Sequence, residues 1–313
     1  MIRQVVGLRE AKTRPIPEPV AAPGKRLDPA DCFRYCEAFT RAHHENFPVA
    51  SRFLPERLRQ HVCALYAFVR MADDFADEPQ YAGRRAEELD RWEDLLIRCF
   101  HGEAEHPVFV ALSDTVHRFD LPIAPLSDLI SAFRMDLKVK RYPTWNDLNG
   151  YIALAAQPIG RLLLYVYGVR DANAHRYADD LSTALALTAF WQDLQRDLAR
   201  DRLYLPIEDL RHFGVSEEDL RSRKQGQALE QLVRYECART RAIYQRARPI
   251  VDLVGDDLGV EIALCWYGGS RALEKIEARA GEVFGGRAHL NAADKAWVVA
   301  KALHRRGVGL LRR

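Results

Sequence analysis

Asp193, Asp197 and Asp201 recur at four-residue intervals in the stretch LTAFWQDLQRDLARDRLYLP, residues 187–206. On an α-helix that interval stacks carboxylates on one face, one turn above another. Leu187, Phe190, Trp191, Leu194 and Leu198 surround them with an apolar pattern, which sets the carboxylates beside a core. Upstream, Asp73-Asp74-Phe75-Ala76-Asp77 repeats the arrangement, with Asp73 and Asp77 at i, i+4. Like charges at that spacing weaken a helix by about 0.2–0.5 kcal/mol per pair. A single such pair reads first as a solvated acidic face. Two copies, each closing an aromatic-rich apolar run, call for a counter-ion. Hard divalent cations take oxygen ligands, and Mg²⁺ is commonly held by one or two carboxylates plus substrate phosphates. Two such helices, facing each other, would form a cage for a Mg²⁺–diphosphate.

Helices must position these carboxylates, and the apolar periodicity is helical almost everywhere after Asp28. Helices are expected near 30–44, 55–77, 83–101, 106–119, 125–140, 144–168, 172–201, 227–253, 256–280 and 291–305. Breaks fall at Pro48, Pro55, Pro79, Pro122, Pro143, Pro206 and Gly214, and Thr144 and Ser216 precede acidic first turns. No segment alternates as a strand does, and no repeat of 20–50 residues is visible. Pro15, Pro17, Pro19, Pro23 and Gly24 preclude a continuous helix at the start. The organisation read from this is a mobile Pro-rich leader, 1–27, followed by one all-α domain, 28–313. Within the run Tyr151-Ile152-Ala153-Leu154-Ala155-Ala156-Gln157-Pro158, small residues ahead of Gln-Pro predict a kink where something approaches closely.

The 313 residues, 48% of them hydrophobic, can bury a large core. A formal net charge of +2 leaves no global field to attract nucleic acid. No signal-peptide h-region and no run of about 18 uncharged apolar residues occurs, so a soluble, cytoplasmic protein is expected, peripheral on the inner face of a membrane at most. Six scattered cysteines read as reduced core residues. Cys32 and Cys36 with His43 and His44 match no standard zinc spacing.

VCALYAFVRMADDFADE (62–78) and FWQDLQRDLARDRLYLP (190–206) resemble the two aspartate-rich motifs of the squalene and phytoene synthase family, and the likeness runs from about Cys32 to Lys301. The resemblance implies a single-domain isoprenoid synthase fold, all-α, with helices around a central cavity and two facing aspartate-rich motifs. It implies Asp73, Asp77, Asp193 and Asp197 as Mg²⁺ ligands, Asp74 as their support and Arg70 on the diphosphate. His43 and Asn46 would face the diphosphate, with Phe47 closing the pocket. Tyr66 would line the cavity mouth, while Tyr151 and Gln157 would border the prenyl chains. Arg202 and Tyr204 match the family's RxYLP ending, and Arg287 with Lys295 resemble its last basic pair. The faces of Phe68, Phe190 or Trp191, if they point inward, would stabilise a carbocation.

HENFPVAS (44–51) and FWQD, with Gln192 where head-to-head synthases commonly carry Arg, are most similar to the hydroxysqualene synthase branch of bacterial hopanoid pathways. That branch implies Mg²⁺-dependent ionisation of presqualene diphosphate and capture by water, giving hydroxysqualene and diphosphate. No reductant is then needed, and the chain has no glycine-rich dinucleotide motif. The implied partners are the prenyl diphosphate, a membrane surface bound peripherally and neighbouring hopanoid-pathway enzymes. Two other readings stand beside it. One is head-to-head condensation of two prenyl diphosphates to squalene or phytoene. The other is a catalytically weak homologue serving as a partner-binding subunit. It is motivated by LALTAFWQD, in which Ala186 and Ala189 replace the Gln and Asn usual in the family.

Overall fold

Proline breaks and apolar spacing place helices nearly where the sequence predicts them. The computed structural model describes residues 27–43 and 54–310, with backbone alone for 256, 257 and 305–310. The expected leader, apart from Leu27, and the whole of HENFPVAS, with Asn46 and Phe47, lie outside the described residues. The helices are α1 (Pro29–His43), α2 (Glu56–Asp77), α3 (Arg85–Phe100), α4 (Pro107–Phe119), α5 (Ala124–Lys138), α6 (Trp145–Ala155) and α7 (Gln157–Val166). They continue as α8 (Ala172–Leu198), α9 (Ile207–His212), α10 (Glu217–Arg221), α11 (Gln227–Ala247), α12 (Ile250–Leu253), α13 (Asp256–Ala278) and α14 (Ala292–Leu310). Among the described residues the only extended pairing is one isolated bridge, Arg141 with Leu203. No helix among them is long and apolar enough to cross a membrane.

The described residues fall into two units. The first runs to Lys138 and includes Pro158–Arg170. The second takes Val139–Gln157 and the chain from Asp171 onward. In the first, α1, α2 and α4 pack on one another, and α3 and α5 pack on α2. Phe68 stacks on Trp92 with ring centres 5.9 Å apart, and Phe109 meets Trp92 edge-on at 4.5 Å. The Trp92 indole N–H donates to the Phe68 carbonyl at 3.3 Å. Phe68 is thus a core residue of its unit. In the second unit α8 is the central rod, with α11, α13 and α6 packed on it. Asp171 caps its start by accepting from the Ala174 N–H at 2.8 Å. A capping box of Thr144 and Asp147 starts α6.

The departures from expectation have local causes. Within the helix expected over 144–168, the kink expected ahead of Gln157-Pro158 is present as a break at Ala156 (φ −122°, ψ −44°), since Pro158 has no N–H to continue the ladder. The one expected over 227–253 divides into α11 and α12 just before Pro249 for the same reason. The one expected over 172–201 stops at Leu198. There the Asp197 carbonyl accepts from the N–H groups of Arg200 and Arg202, and Asp201 turns left-handed at φ 58°. Asp201 therefore leaves the face it was expected to share with Asp193 and Asp197.

Candidate active site

The first motif closes α2, whose apolar stripe carries Leu65, Phe68 and Phe75 into the core of the first unit. Burying that stripe draws Arg70 and Asp73 inside with it, each 2% exposed. The Arg70 guanidinium sits 2.8 Å from Asp74 Oδ1, 3.5 Å from Asp73 Oδ2 and 4.0 Å from Glu78 Oε1. His43, from the end of α1, stacks on Phe39 and donates through Nδ1 to the Phe39 carbonyl at 2.8 Å. Its Nε2 lies 3.9 Å from Asp74 Oδ2. Tyr66, a turn above Arg70, is buried, and Asp77 is half-buried at the helix end. The structure thus joins His43, Arg70, Asp73 and Asp74 in one cluster. An arginine held among carboxylates is the arrangement from which a guanidinium can also engage diphosphate oxygens, because its fork accepts bidentate partners.

The second motif lies on α8, which the second unit surrounds so fully that Asp193 and Asp197 are 4% and 3% exposed. Ala186 and Ala189, on the same helix face, are buried too. Burial pushes the Asp193 carboxyl upward, against the pull of Arg287 and Arg196. Arg287 Nε lies 3.1 Å from Asp193 Oδ1, while Asp193 Oδ2 is buried without a hydrogen-bond partner among the described residues. A buried carboxylate oxygen so placed suits a hard divalent cation. Among the described residues, no three acidic, histidine or cysteine side chains gather closely enough to hold an ion alone. An ion here would therefore need further oxygens from elsewhere, as Mg²⁺ takes from phosphate and water.

Gln192 supplies a contact that spacing did not reveal: its amide donates to the Ala288 carbonyl and pins the loop bearing Arg287 onto α8. A shallow surface recess opens there, lined by Trp191, Gln192, Arg279, Gly286 and Ala288. Lys295 is exposed on the first turn of α14 and makes no ion pair among the described residues.

Aromatic rings form the wall behind Asp193. Phe190 stacks on Tyr204 at 3.9 Å, and Tyr204 is parallel with Tyr142 and Tyr151 at 5.9 and 6.1 Å. The pairing that aligns them is main-chain. Leu203 N–H donates to the Lys140 carbonyl at 3.0 Å, and Ile207 N–H to that of Tyr142 at 2.9 Å. One face of Phe190 is accordingly taken by Tyr204. Trp191 is turned into the core, donating to Thr240 Oγ1 at 2.8 Å. Gln157 donates to Thr183 Oγ1 at 3.1 Å and ties the start of α7 to α8. Arg202 is half-buried and its N–H helps close α8. Arg141, which sequence reasoning missed, clamps the exit of the motif. It bonds Asp201 Oδ1 at 2.7 Å and the two oxygens of Glu217 at 2.6 and 2.9 Å. Nothing in its local sequence marks it, because both partners come from more than fifty residues away.

The all-α fold thus carries two aspartate-bearing helices, each with an arginine against its carboxylates. The squalene/phytoene synthase family pattern matches residues 40–294. A phytoene synthase of Arthrospira platensis is 32% identical over 83% of this chain and 89% of its own length. A hydroxysqualene synthase of Rhodopseudomonas palustris is 32% identical over 75% and 80%. The crystal structure of squalene synthase HpnC from Alicyclobacillus acidocaldarius superposes with a TM-score of 0.78 at 38% identity, covering 80% of this chain and 95% of that one. The chain belongs to the squalene/phytoene synthase family. It is therefore an enzyme of the class that acts on prenyl diphosphates, with the all-α fold of squalene synthases.

Proposed function

We propose that this chain ionises presqualene diphosphate and delivers the resulting cation to water, releasing hydroxysqualene and diphosphate. The observation that carries this reading is Gln192. On the family resemblance it stands where head-to-head synthases commonly have Arg, and its amide holds the Arg287 loop against Asp193. The relative named hydroxysqualene synthase, at 32% identity, supports the same branch.

Asp73, Asp77, Asp193 and Asp197 are the residues that would hold Mg²⁺, which when bound stabilises negative charge on a departing diphosphate. On the family resemblance, Arg70 at the first motif and Arg287 at the second would each offer cationic hydrogen-bond donors to diphosphate oxygens. His43, fixed by the Phe39 carbonyl through Nδ1, turns its Nε2 toward the first motif. On the family resemblance, the stacked rings of Phe190, Tyr204, Tyr142 and Tyr151 would form an apolar wall beside the prenyl chain. Asn46 and Phe47 are assigned to the diphosphate and to closure of the pocket on the family resemblance, and Lys295 to the diphosphate on the same ground.

A second reading, head-to-head condensation of two prenyl diphosphates, is favoured by phytoene synthases at 32% and 31% identity. The test is to incubate the purified chain with presqualene diphosphate and Mg²⁺ in H₂¹⁸O, with and without NADPH. The expected product is an alcohol carrying the heavy oxygen, in equal amount under both conditions. A hydrocarbon, or activity only on two shorter diphosphates, transfers the chain to the second reading. Failure to release diphosphate from any of them leaves the partner-subunit reading.

A further inference from the structure

Helices α8 and α11 are joined by two hydrogen bonds built to one plan. Thr188 of α8 donates its single hydroxyl proton to the Ala184 carbonyl, one turn back, at 2.7 Å. Its 3.0 Å contact with Tyr244 of α11 is therefore donated by the tyrosine hydroxyl. Thr240 of α11 likewise donates to the Glu236 carbonyl at 2.8 Å, and accepts from the Trp191 indole N–H of α8 at 2.8 Å. In each rung a threonine oxygen on one helix receives an aromatic donor from the other. All four side chains are buried, so loss of either acceptor would strand a donor away from water. Helix α13 is shaped around the first rung. A Cβ at Gly269 would overlap the Tyr244 hydroxyl and come within 2.7 Å of Leu185 Cδ2, and Trp266 donates to the Tyr244 carbonyl at 2.8 Å.

The rungs matter because apolar burial cannot orient this part of α8. Every residue from Ala186 to Trp191 is buried, so the helix has no wet side there to fix its rotation. Packing of small and apolar side chains tolerates a modest turn about the axis, whereas two hydrogen bonds of fixed length do not. At about 3.6 residues per turn, Thr188 and Trp191 point roughly opposite to Asp193 and Asp197. Whatever holds the back of the helix thus sets the aim of its carboxylates. Metal ligands need to be held within about 10–20° of their productive geometry, so a small turn is enough to spoil a site.

We propose that Thr240 and Tyr244 are positioning residues for the second aspartate motif: through Trp191 and Thr188 they fix the rotation of α8 and so aim Asp193 and Asp197, with Gly269 leaving the space that Tyr244 needs. The inference rests on the reading of Asp193 and Asp197 as metal ligands, and is independent of which product is made.

The test is calorimetric titration of Mg²⁺ into the full chain with inorganic diphosphate present, against a protein-free blank, alongside denaturant melts. The wild type should bind the ion, and Asp197→Asn should bind it far more weakly. Tyr244→Phe and Thr240→Val keep the shape but remove one rung each, and should each weaken Mg²⁺ binding about tenfold. Thr240→Ser, which keeps the acceptor, should restore wild-type affinity. Val298→Ala, which opens buried space where α14 packs on α13, should lower stability and leave Mg²⁺ affinity unchanged. Wild-type affinity in both rung variants, an equal loss in Val298→Ala, or no rescue in Thr240→Ser would each overturn the inference and leave the ligand reading standing. No binding by the wild type, or full binding by Asp197→Asn, would overturn the ligand reading and the inference with it.

Discussion

A carboxylate at 4% exposure with a guanidinium on one oxygen and no hydrogen-bond partner among the described residues on the other, as Asp193 has, is poised rather than satisfied. Its burial costs more than its pairing with Arg287 returns, which is why the carboxyl is pushed upward despite the nearby cation. The two partners should therefore respond differently to substitution. Asp193→Asn removes the disfavoured charge and keeps the shape, so melting without metal should hold or rise while turnover falls by orders of magnitude. Arg287→Gln leaves the carboxylate buried without its paired guanidinium, with only the more distant pull of Arg196. It should lower stability by about 1–2 kcal/mol, less than for a fully buried pair because Arg287 is 37% exposed. Denaturant melts of both variants and of the double variant read the coupling between them. If Asp193→Asn keeps near-parental activity at saturating Mg²⁺, the carboxylate is no ligand. Asp193 itself was legible in the sequence because its spacing from Asp197 is a local, helical fact. Its partner was legible only through the family resemblance, since Arg287 lies ninety-four residues away and spacing alone cannot fold a loop back onto α8.

Helices of the second unit show the same divide between local and distant causes. The long rods α8, α11 and α13 announce themselves by apolar period, and their proline breaks by chemistry. The six-residue α9 does not, since one turn and a half is too short to display a period. It is held by Asp209, which pairs with Arg239 of α11 at 2.8 Å, while Arg239 also reaches Glu236 at 3.2 Å and covers the Trp145 ring at 4.3 Å. Glu236 is 1% exposed, and burial pushes its carboxyl up to about 8, with Arg239 opposing and Asp209 adding to the rise. A folded-state value raised above the ordinary carboxylate range means that the folded chain keeps a proton that the unfolded chain has lost. Stability should then fall as pH rises from roughly 5 to 8, by up to about 1.4 kcal/mol per pH unit from this group, and level off above. Glu236→Gln should flatten that descent by fixing the neutral form. Melting temperatures of both proteins at each pH across the window check it, and a descent of equal slope in the variant places its origin elsewhere.

Across the whole molecule the composition constrained more than it specified. Near-neutral charge and an apolar half of the chain were consistent with a large helical protein without a nucleic-acid field, and the paired aspartates pointed to its family. The division into two units was not legible, because α7 joins the first unit by contacts made far along the chain from α1 to α5. The cysteines mark the two units conveniently. Cys32, Cys36, Cys63 and Cys99 belong to the first and Cys237 and Cys265 to the second, and all six are free thiols. Five are buried and Cys265 is half-buried. Burial pushes Cys32, Cys63 and Cys99 up to about 11, Cys237 and Cys265 to about 12, and Cys36 in the same direction. Since the thiolate is the reacting species, both access and ionisation suppress reaction in the folded state. A thiol-disulfide reagent such as Ellman's, added to the native chain near pH 8, should therefore find no fast-reacting group, and the same reagent in denaturant should find six. Intermediate denaturant should release thiols only as helices open, so the number released, with mass-spectrometric mapping of the labelled cysteines, reports which unit has opened. Four labels confined to Cys32, Cys36, Cys63 and Cys99 would mark the first unit opening alone, and two on Cys237 and Cys265 the second. A thiol that reacts at once in the native chain would contradict the packing of the helix that carries it.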